Sequence, residues 1–193
     1  RKQRLERFVR RICDVCTKRR IFLLGFPKCG TLSFHHMLNS IGCTSYHYSW
    51  FESRAKKERI LRVVQSISPN VTYDAQHIAH AGYMMQLAHS QNLPLLSYFP
   101  WFYRAFTQME VCENGTCIWP QMRFYRLLYQ QYPDSLFILP YRNISHHIRS
   151  INHWGDLRQQ LMQHEIPGLP AGVGAEDEQL RRWIMNHYCD IEA

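Results

Sequence analysis

A short, wholly apolar run followed by a tight glycine loop and a helix constrains this fold more than any other feature. Residues 21–26 read Ile-Phe-Leu-Leu-Gly-Phe, which is typical of a strand buried on both faces of a parallel sheet. Pro-Lys-Cys-Gly follows at 27–30, and helical periodicity runs over 31–41 before Gly42, a residue that favours a helix end. This order predicts a strand, a loop and a helix, which together begin an α/β domain.

The rest of the chain alternates between strand-like and helix-like segments, with a loop over 167–174. A second clear buried strand is predicted at 135–141, with a helix after it at 144–154. The other predicted strands are 44–48 and 94–98, and the other predicted helices cover about 51–67, 75–89, 101–109, 121–131 and 177–188. Such alternation predicts an α/β domain with a mostly parallel sheet.

Length and composition fit one globular domain. The chain has 193 residues, of which 46% are hydrophobic and 20% charged, so disordered and collagen-like classes are excluded. No stretch approaches the roughly 20 uncharged apolar residues that a membrane span needs.

The net charge of +8 belongs almost entirely to the N-terminal segment. Residues 1–20 hold nine of the 23 Lys and Arg but only two of the 15 acidic residues. A basic groove is therefore not implied, and we expect no nucleic-acid partner. An apolar stripe, Leu5, Phe8, Val9 and Ile12, predicts an amphipathic basic arm over 1–20, ahead of a domain over 21–193. Packing of this arm on the domain and contact with an anionic membrane or glycan both stay open.

Cysteine usage leaves the compartment open. Cys112 and Cys117 flank an Asn-Gly turn signal and could form a bridge across a short ribbon. Cys13 and Cys16 lack a second pair at zinc-ribbon spacing, so no structural zinc is expected. Glycosylation sequons begin at Asn70, Asn114 and Asn143. Together these features slightly favour a glycoprotein of an oxidising lumen, such as the Golgi, over a cytoplasmic protein.

The loop at 27–30 has the chemistry of an anion cradle. Its backbone N–H groups and the following helix N-terminus point to one place, where the helix dipole favours negative charge. Lys28 adds a point charge, and Thr31 and Ser33 add hydroxyl donors. An ATP-binding Walker loop requires Gly-Lys-Ser/Thr in succession, whereas here Lys28 precedes Gly30. The spacing therefore disfavours a P-loop kinase.

Two motifs together carry a resemblance to a known family. The heptad Gly-Phe-Pro-Lys-Cys-Gly-Thr at 25–31 resembles the 5′-phosphosulfate loop of sulfotransferases that use 3′-phosphoadenosine 5′-phosphosulfate (PAPS). Arg142 directly follows the strand predicted at 135–141, and Ser150 lies eight positions after Arg142. This pattern is similar to the family's 3′-phosphate site. The resemblance covers about 21–190 and implies a three-layer, P-loop NTPase-like α/β fold with a mostly parallel central sheet.

The resemblance also implies a reaction and its residues. The chain would transfer a sulfuryl group from PAPS to a hydroxyl, or an amine, of a carbohydrate or small-molecule acceptor, without a metal. Lys28 would neutralise charge on the oxygen that leaves with the adenosine bisphosphate. The residues implied to bind PAPS are Pro27, Lys28, Cys29, Gly30, Thr31, Leu32, Ser33, Arg142 and Ser150.

Three departures from the family pattern keep an alternative open. Leu32 stands where the family often has a second Thr, and residues 110–119 resemble an insertion. The family's C-terminal loop over the nucleotide does not occur before Ala193, so the chain is a fragment, or that loop is disordered, or PAPS binding is impaired. A non-catalytic, sulfotransferase-like binding module is the alternative to an enzyme.

The general base and the acceptor pocket are less well defined. Histidine suits the role of base, and similar family members carry a His followed by an aromatic residue, as at His47. Asp74 and His89 stay open as alternatives. Aromatic residues at 50–51 and 98–103 would line the acceptor pocket, although most of them are expected to be core.

Overall fold

A four-stranded parallel sheet forms the centre of the molecule. The computed structural model describes residues 12, 16, 18–48, 54–69, 80–113 and 116–193. The strands are β1 (Ile21–Leu23), β2 (Ser45–His47), β3 (Ala105–Gln108), β4 (Val111–Glu113), β5 (Thr116–Ile118) and β6 (Leu136–Ile138). The sheet order is β2-β3-β1-β6, and β4 and β5 form a separate antiparallel hairpin.

Eight helices surround the sheet in the part of the chain that is described. They are α1 (Thr31–Ser40), α2 (Arg54–Ile67), α3 (Ala81–Ser90), α4 (Pro120–Arg123), α5 (Tyr125–Gln131), α6 (Ile144–Asn152), α7 (Leu157–Gln163) and α8 (Asp177–Glu192). Within that part, none of the helices has the length and apolar character needed to cross a membrane.

Both faces of the sheet are buried, which accounts for the apolar sequence of β1. Phe22 packs in a cluster with Tyr46 and Phe106 on one face, and its ring stacks on Phe106 at a centroid distance of 5.3 Å. Ile21 and Leu23 alternate to the other face and pack against α1. The prediction of a layered α/β domain with a parallel sheet is therefore confirmed.

The strand order changes direction at β1, because strands are added to the sheet on both sides of it. The crossover through α1 and β2 builds the side on which β3 lies, whereas β6 pairs with β1 on the other side. Such a switch point opens a crevice at the carboxyl ends of the strands. Gly25 allows the two segments to meet there, because a Cβ at this position would lie 2.7 Å from Cδ of Pro140. The loop after β1 and the segment after β6 are thereby neighbours.

Two predicted elements between residues 94 and 109 are wrong. The segment predicted as a strand at 94–98 forms turns, with the Ser97 amide donating to the Pro94 carbonyl at 2.9 Å. The segment predicted as a helix at 101–109 contains β3, which lies between β1 and β2. Its closely spaced aromatic residues fit either periodicity, and parallel pairing on both sides, with Phe106 opposite Phe22, decides in favour of a strand.

The other corrections concern helix limits. The helix predicted at 121–131 is divided into α4 and α5 by Phe124, whose backbone leaves the helical region at φ −118°. The sequence did not predict α7, and α8 continues four residues beyond the predicted end. The helices predicted at 31–41 and 144–154 are present as α1 and α6.

Two disulfides are present among the described residues. Cys112 and Cys117 are bonded across the β4–β5 hairpin, so the bridge that the sequence suggested is formed. A second bridge, which the sequence did not predict, joins Cys16 to Cys43 after α1. Ile12 is buried in the same cluster as Cys16. The other residues of the apolar stripe lie outside the described residues, and contact of the arm with a membrane or glycan stays a prediction.

Candidate functional site

A cleft of about 920 Å³ lies at the carboxyl ends of the parallel strands. It is lined by the loop after β1, the ends of β2 and β3, and the segment after β6. Nine of the ten residues predicted for the site line this one cleft: Pro27, Lys28, Gly30, Thr31, Leu32, Ser33, His47, Arg142 and Ser150. The remaining one, Cys29, does not.

The loop after β1 leaves the start of α1 open to a ligand. Lys28 (φ 70°) and Gly30 (φ 83°) both have left-handed backbone, and a Cβ at Gly30 would meet no atom within 4 Å. Lys28 is strained in this conformation, a feature that clusters at functional sites. No side chain caps the N-terminus of α1, so its first-turn amides are available to bind an anion.

Side chains from the segment after β6 hold the loop in place by donating hydrogen bonds to its backbone carbonyls. The Arg142 guanidinium donates to the carbonyl oxygen of Lys28. His147 Nε2 donates to the carbonyl oxygen of Pro27 at 2.9 Å. Burial, with a smaller contribution from the Arg142 charge, lowers the pKa of His147 to about 4 against the opposing effect of the Pro27 hydrogen bond. His147 is therefore neutral at pH 7 and acts as a neutral donor to the loop.

Two cationic groups face the same part of the cleft. Lys28 Nζ lies 3.4 Å from the centroid of the Trp154 ring, a cation–π contact. Burial lowers the pKa of Lys28, and the nearby Arg142 charge lowers it further. Because the two positive charges repel each other, a multiply charged anion between them would be favoured.

Cys29 lies behind the loop rather than in the cleft. Its Sγ is 3.7 Å from the ring nitrogens of His147 and 3.7 Å from the Tyr188 hydroxyl. Its backbone N–H donates to the Phe26 carbonyl at 3.3 Å. Burial raises the pKa of the Cys29 thiol. This residue thus packs the loop against α6 and α8.

The hydroxyl groups predicted to bind the donor differ in exposure. Thr31 is buried, and its Oγ1 donates to Gln108 Oε1 at 3.2 Å. Ser33 is exposed and Ser150 is partly buried, and both line the cleft. Thr31 therefore links the loop to the end of β3 in this structure.

His47 lines the same cleft at the end of β2. Its Nδ1 is 3.1 Å from Oγ1 of Thr107, and Oγ1 donates to the Tyr46 carbonyl at 2.9 Å. Because that carbonyl can only accept, the Thr107 hydroxyl proton is used there, and His47 Nδ1 must donate to Thr107. The His47 ring also packs on His35, with centroids 5.1 Å apart. His47 is thus fixed in orientation.

Glu110 also lines the cleft, and sequence reasoning missed it. It is 5% exposed and lies two residues beyond β3. Gln121 Nε2 donates to its Oε2 at 2.7 Å, while its Oε1 has no hydrogen-bond partner. Burial raises the pKa of Glu110 to about 7, against the opposing effect of nearby backbone amides and of Gln121. A correct strand at 105–108 would have placed Glu110 at the carboxyl edge with the other site residues.

Of the other candidates for the base and the acceptor pocket, those that the structure describes do not line this cleft. Asp74 and residues 50–51 lie outside the described residues. His89 is exposed at the end of α3, with its ring 5.0 Å from that of Phe124. Within 98–103, Tyr98, Phe99 and Tyr103 are buried in the core. The aromatic residues that line the cleft are Tyr48, Trp119 and Trp154.

The cleft offers the donors of an anion site: amides, hydroxyls, an ammonium and a guanidinium. Two acidic residues of the described chain, Glu110 and Asp156, also line it. The described residues contain no group of three or more His, Cys, Asp or Glu that could hold a metal ion.

Comparison with known proteins identifies the family. A family model described as a sulfotransferase domain matches residues 20–190. No curated protein matches the chain. The matched range begins directly before β1 and ends within α8, so it includes every residue that lines the cleft.

Proposed function

The chain belongs to the sulfotransferase domain family, and on that premise we propose that it uses PAPS as its sulfuryl donor. The acceptor is a hydroxyl, or an amine, of a carbohydrate or small molecule. The observation that carries the proposal is the presence of two anion-binding groups on one cleft: the loop around Lys28, and Arg142 with Ser150. PAPS has charged groups at its 3′ and 5′ ends, which suits two such sites at the ends of neighbouring strands.

The residues present fit this donor. The open side of Gly30 and the uncapped amides of α1 suit the 5′-phosphosulfate, with Ser33 beside them. Arg142 and Ser150 suit the 3′-phosphate, since a guanidinium fork and a hydroxyl are both phosphate donors. When bound, PAPS supplies an activated sulfuryl group attached to its 5′-phosphate.

Lys28 is proposed to have the catalytic role. Its ammonium group reaches the same cleft as the first turn of α1, so it can donate to an oxygen that gains negative charge as the donor bond breaks. In the structure the Lys28 ammonium lies over the Trp154 ring. It must leave this ring to contact the sulfuryl donor. The remaining requirement, removal of the acceptor proton, falls to another group that lines the cleft.

Calorimetric titration with adenosine 3′,5′-bisphosphate tests the proposal, with ATP as the competing ligand. We expect saturable binding of the bisphosphate that ATP does not match. Arg142→Ala should weaken it by roughly 30-fold, because a charge-assisted pair contributes about 2 kcal/mol. Arg182→Ala is the matched control, since Arg182 is exposed on α8 and does not line the cleft.

The opposite results would favour the binding-module alternative. If the wild-type protein fails to bind the bisphosphate, or binds ATP equally well, the proposed donor is wrong. Binding of anionic vesicles or sulfated glycans through residues 1–20 would then become the function to measure first.

The two disulfides support a proposed location in an oxidising compartment such as the Golgi lumen. Mass spectrometry of the protein isolated from its own cells, under non-reducing conditions, tests this. Both bridges should be intact, and free thiols at Cys16, Cys43, Cys112 and Cys117 would contradict it.

A further inference from the structure

Glu110 is a buried carboxyl with one of its two oxygens lacking a hydrogen-bond partner. Its Oε2 is engaged by Gln121, while Oε1 has no partner although the residue is only 5% exposed. Buried polar atoms in folded proteins nearly always have a partner. Because Glu110 lines the cleft, the missing partner of Oε1 can come from a bound molecule.

The geometry defines what kind of group that partner is. Gln121 is itself 1% exposed and donates through Nε2, so it engages one oxygen of Glu110 and leaves the other, which is buried, without a partner. An ionised carboxylate oxygen only accepts hydrogen bonds. The partner must therefore carry a proton on oxygen or nitrogen, as the hydroxyl or amine of an acceptor does.

We infer that Glu110 is the general base that removes the proton of the acceptor hydroxyl, an assignment that rests on the proposed sulfuryl transfer. Glu110 accepts that proton while the acceptor oxygen forms a bond to sulfur. The bond from sulfur to the 5′-phosphate oxygen breaks, and its electron pair leaves on that oxygen with adenosine 3′,5′-bisphosphate. The products are the sulfate ester, the bisphosphate and a proton on Glu110, which passes to solvent.

The protonation behaviour of Glu110 agrees with this role. A general base works best when its pKa lies near the working pH, and burial brings the pKa of Glu110 to about 7. The titratable or charged groups that share the cleft with it are Lys28, His47, Tyr48, Arg142 and Asp156. A dianionic phosphate bound near Lys28 would raise the pKa of Glu110 further.

His47 is the competing base. It lines the same cleft, and the hydrogen bond of its Nδ1 to Thr107 leaves Nε2 as the nitrogen without a proton in the neutral ring. If Glu110 is the base, Glu110→Gln loses the acid limb of the pH–rate profile. If His47 is the base, His47→Gln loses it.

The first experiment follows the Glu110 carboxyl without any acceptor. Carbon-13 spectra of labelled glutamate, compared between wild type and Glu110→Gln, identify its signal and its titration. We expect a pKa near 7 that rises when adenosine 3′,5′-bisphosphate is added. Titration in the ordinary range of about 4 to 5, or no response to the bisphosphate, overturns the assignment.

The second experiment separates this role from the proposed donor. Radiolabelled PAPS is supplied with a mixture of methyl glycosides and simple phenols, and transfer is measured against pH. Glu110→Gln should lower the rate by at least about 100-fold and remove the acid limb, with bisphosphate affinity changed less than about twofold. Glu192→Gln, an exposed carboxyl at the end of α8, is the matched control and should behave as wild type.

The outcomes are distinguishable. If Glu110→Gln retains transfer, or if His47→Gln rather than Glu110→Gln removes the acid limb, the inference is wrong while the donor proposal stands. If the wild type does not bind the bisphosphate, both fail. If no acceptor in the mixture is used, the carbon-13 titration decides.

Discussion

The two sides of the cleft are built in different ways. The loop wall, residues 21–33 and 136–150, is formed by two strand-to-helix turns, and the Arg142 and His147 side chains of the second donate to backbone carbonyls of the first. The hairpin wall, residues 105–121, is formed by β3, a disulfide-bonded hairpin and the buried Glu110–Gln121 pair. Each turn of the first wall has a sequence signature because it is local, whereas β3 and the Glu110–Gln121 pair of the second wall are defined by contacts that form only in the folded chain.

Lys28→Ala should have the largest effect, and it acts on the loop wall alone. We expect transfer to fall by roughly 1,000-fold or more, about 4 kcal/mol, because a positioned cation at the leaving oxygen is lost. Lys18→Ala, at an exposed lysine ahead of β1, is the control. Initial rates with radiolabelled PAPS measure both variants. A loss of less than tenfold would remove Lys28 from the catalytic role.

Acid should weaken the loop wall through His147. Its pKa is lowered to about 4 in the folded protein, so its contribution to stability is complete above pH 6.5 and is lost as pH falls through 4. The loss is about 3 kcal/mol relative to a residue that does not titrate. His147→Gln keeps an N–H donor for Pro27, and its unfolding free energy should lack this part of the pH dependence.

Chemical denaturation of wild type and His147→Gln at about pH 7.5 and pH 4 measures this difference. Equal pH dependence in the two proteins would contradict it. Glu110, on the hairpin wall, has the opposite sign: its raised pKa means that stability increases as pH falls from 7 towards 4.5. The variant comparison cancels that contribution, because Glu110 is present in both proteins.

Removing the Cys112–Cys117 bridge should affect the hairpin wall and leave the loop wall intact. The double variant Cys112→Ser/Cys117→Ser should lose about 2 kcal/mol of unfolding free energy, since the bridge closes a short segment. Its affinity for adenosine 3′,5′-bisphosphate should change by less than about twofold. A tenfold weaker affinity, measured by calorimetry, would show that the two walls are not independent.

Leu32→Thr should have the smallest effect. Leu32 is 52% exposed at the start of α1 and lines the cleft. A hydroxyl there adds one donor to the loop wall, so bisphosphate affinity should rise two- to fivefold, about 0.5–1 kcal/mol. Leu32→Ala should give no gain, and calorimetry of both variants would refute the interpretation if Ala and Thr behave alike.

The sequence predicted the loop wall well because its signals are local. The apolar run at 21–26, the left-handed Gly30 and the spacing from Arg142 to Ser150 each lie within one strand-to-helix unit. The fold class follows from the same units. What could not be predicted is the use of Arg142 and His147 to hold the loop backbone, because no spacing rule encodes a contact across more than 100 residues.

The sequence indicated the bridged ribbon of the hairpin wall but missed β3 and Glu110, for a related reason. Aromatic residues at 101–106 fit a helix or a strand equally well, and only pairing of Phe106 with both neighbours identifies β3. Without β3, no strand was predicted from which the position of Glu110 at the edge of the sheet could be inferred. Its burial and its unpartnered oxygen are tertiary properties that a single carboxylate in a sequence does not indicate.

The hydrogen bond from the Arg142 side chain to the loop backbone has an evolutionary consequence. Since Arg142 supports the loop as well as facing the cleft, selection for folding alone would preserve it in a descendant that had lost its chemistry. Glu110 has no such protection, because a buried ionised carboxyl lowers stability at neutral pH. Position 110 should therefore drift first, and it is the better marker for separating active lineages from relics that keep only the fold.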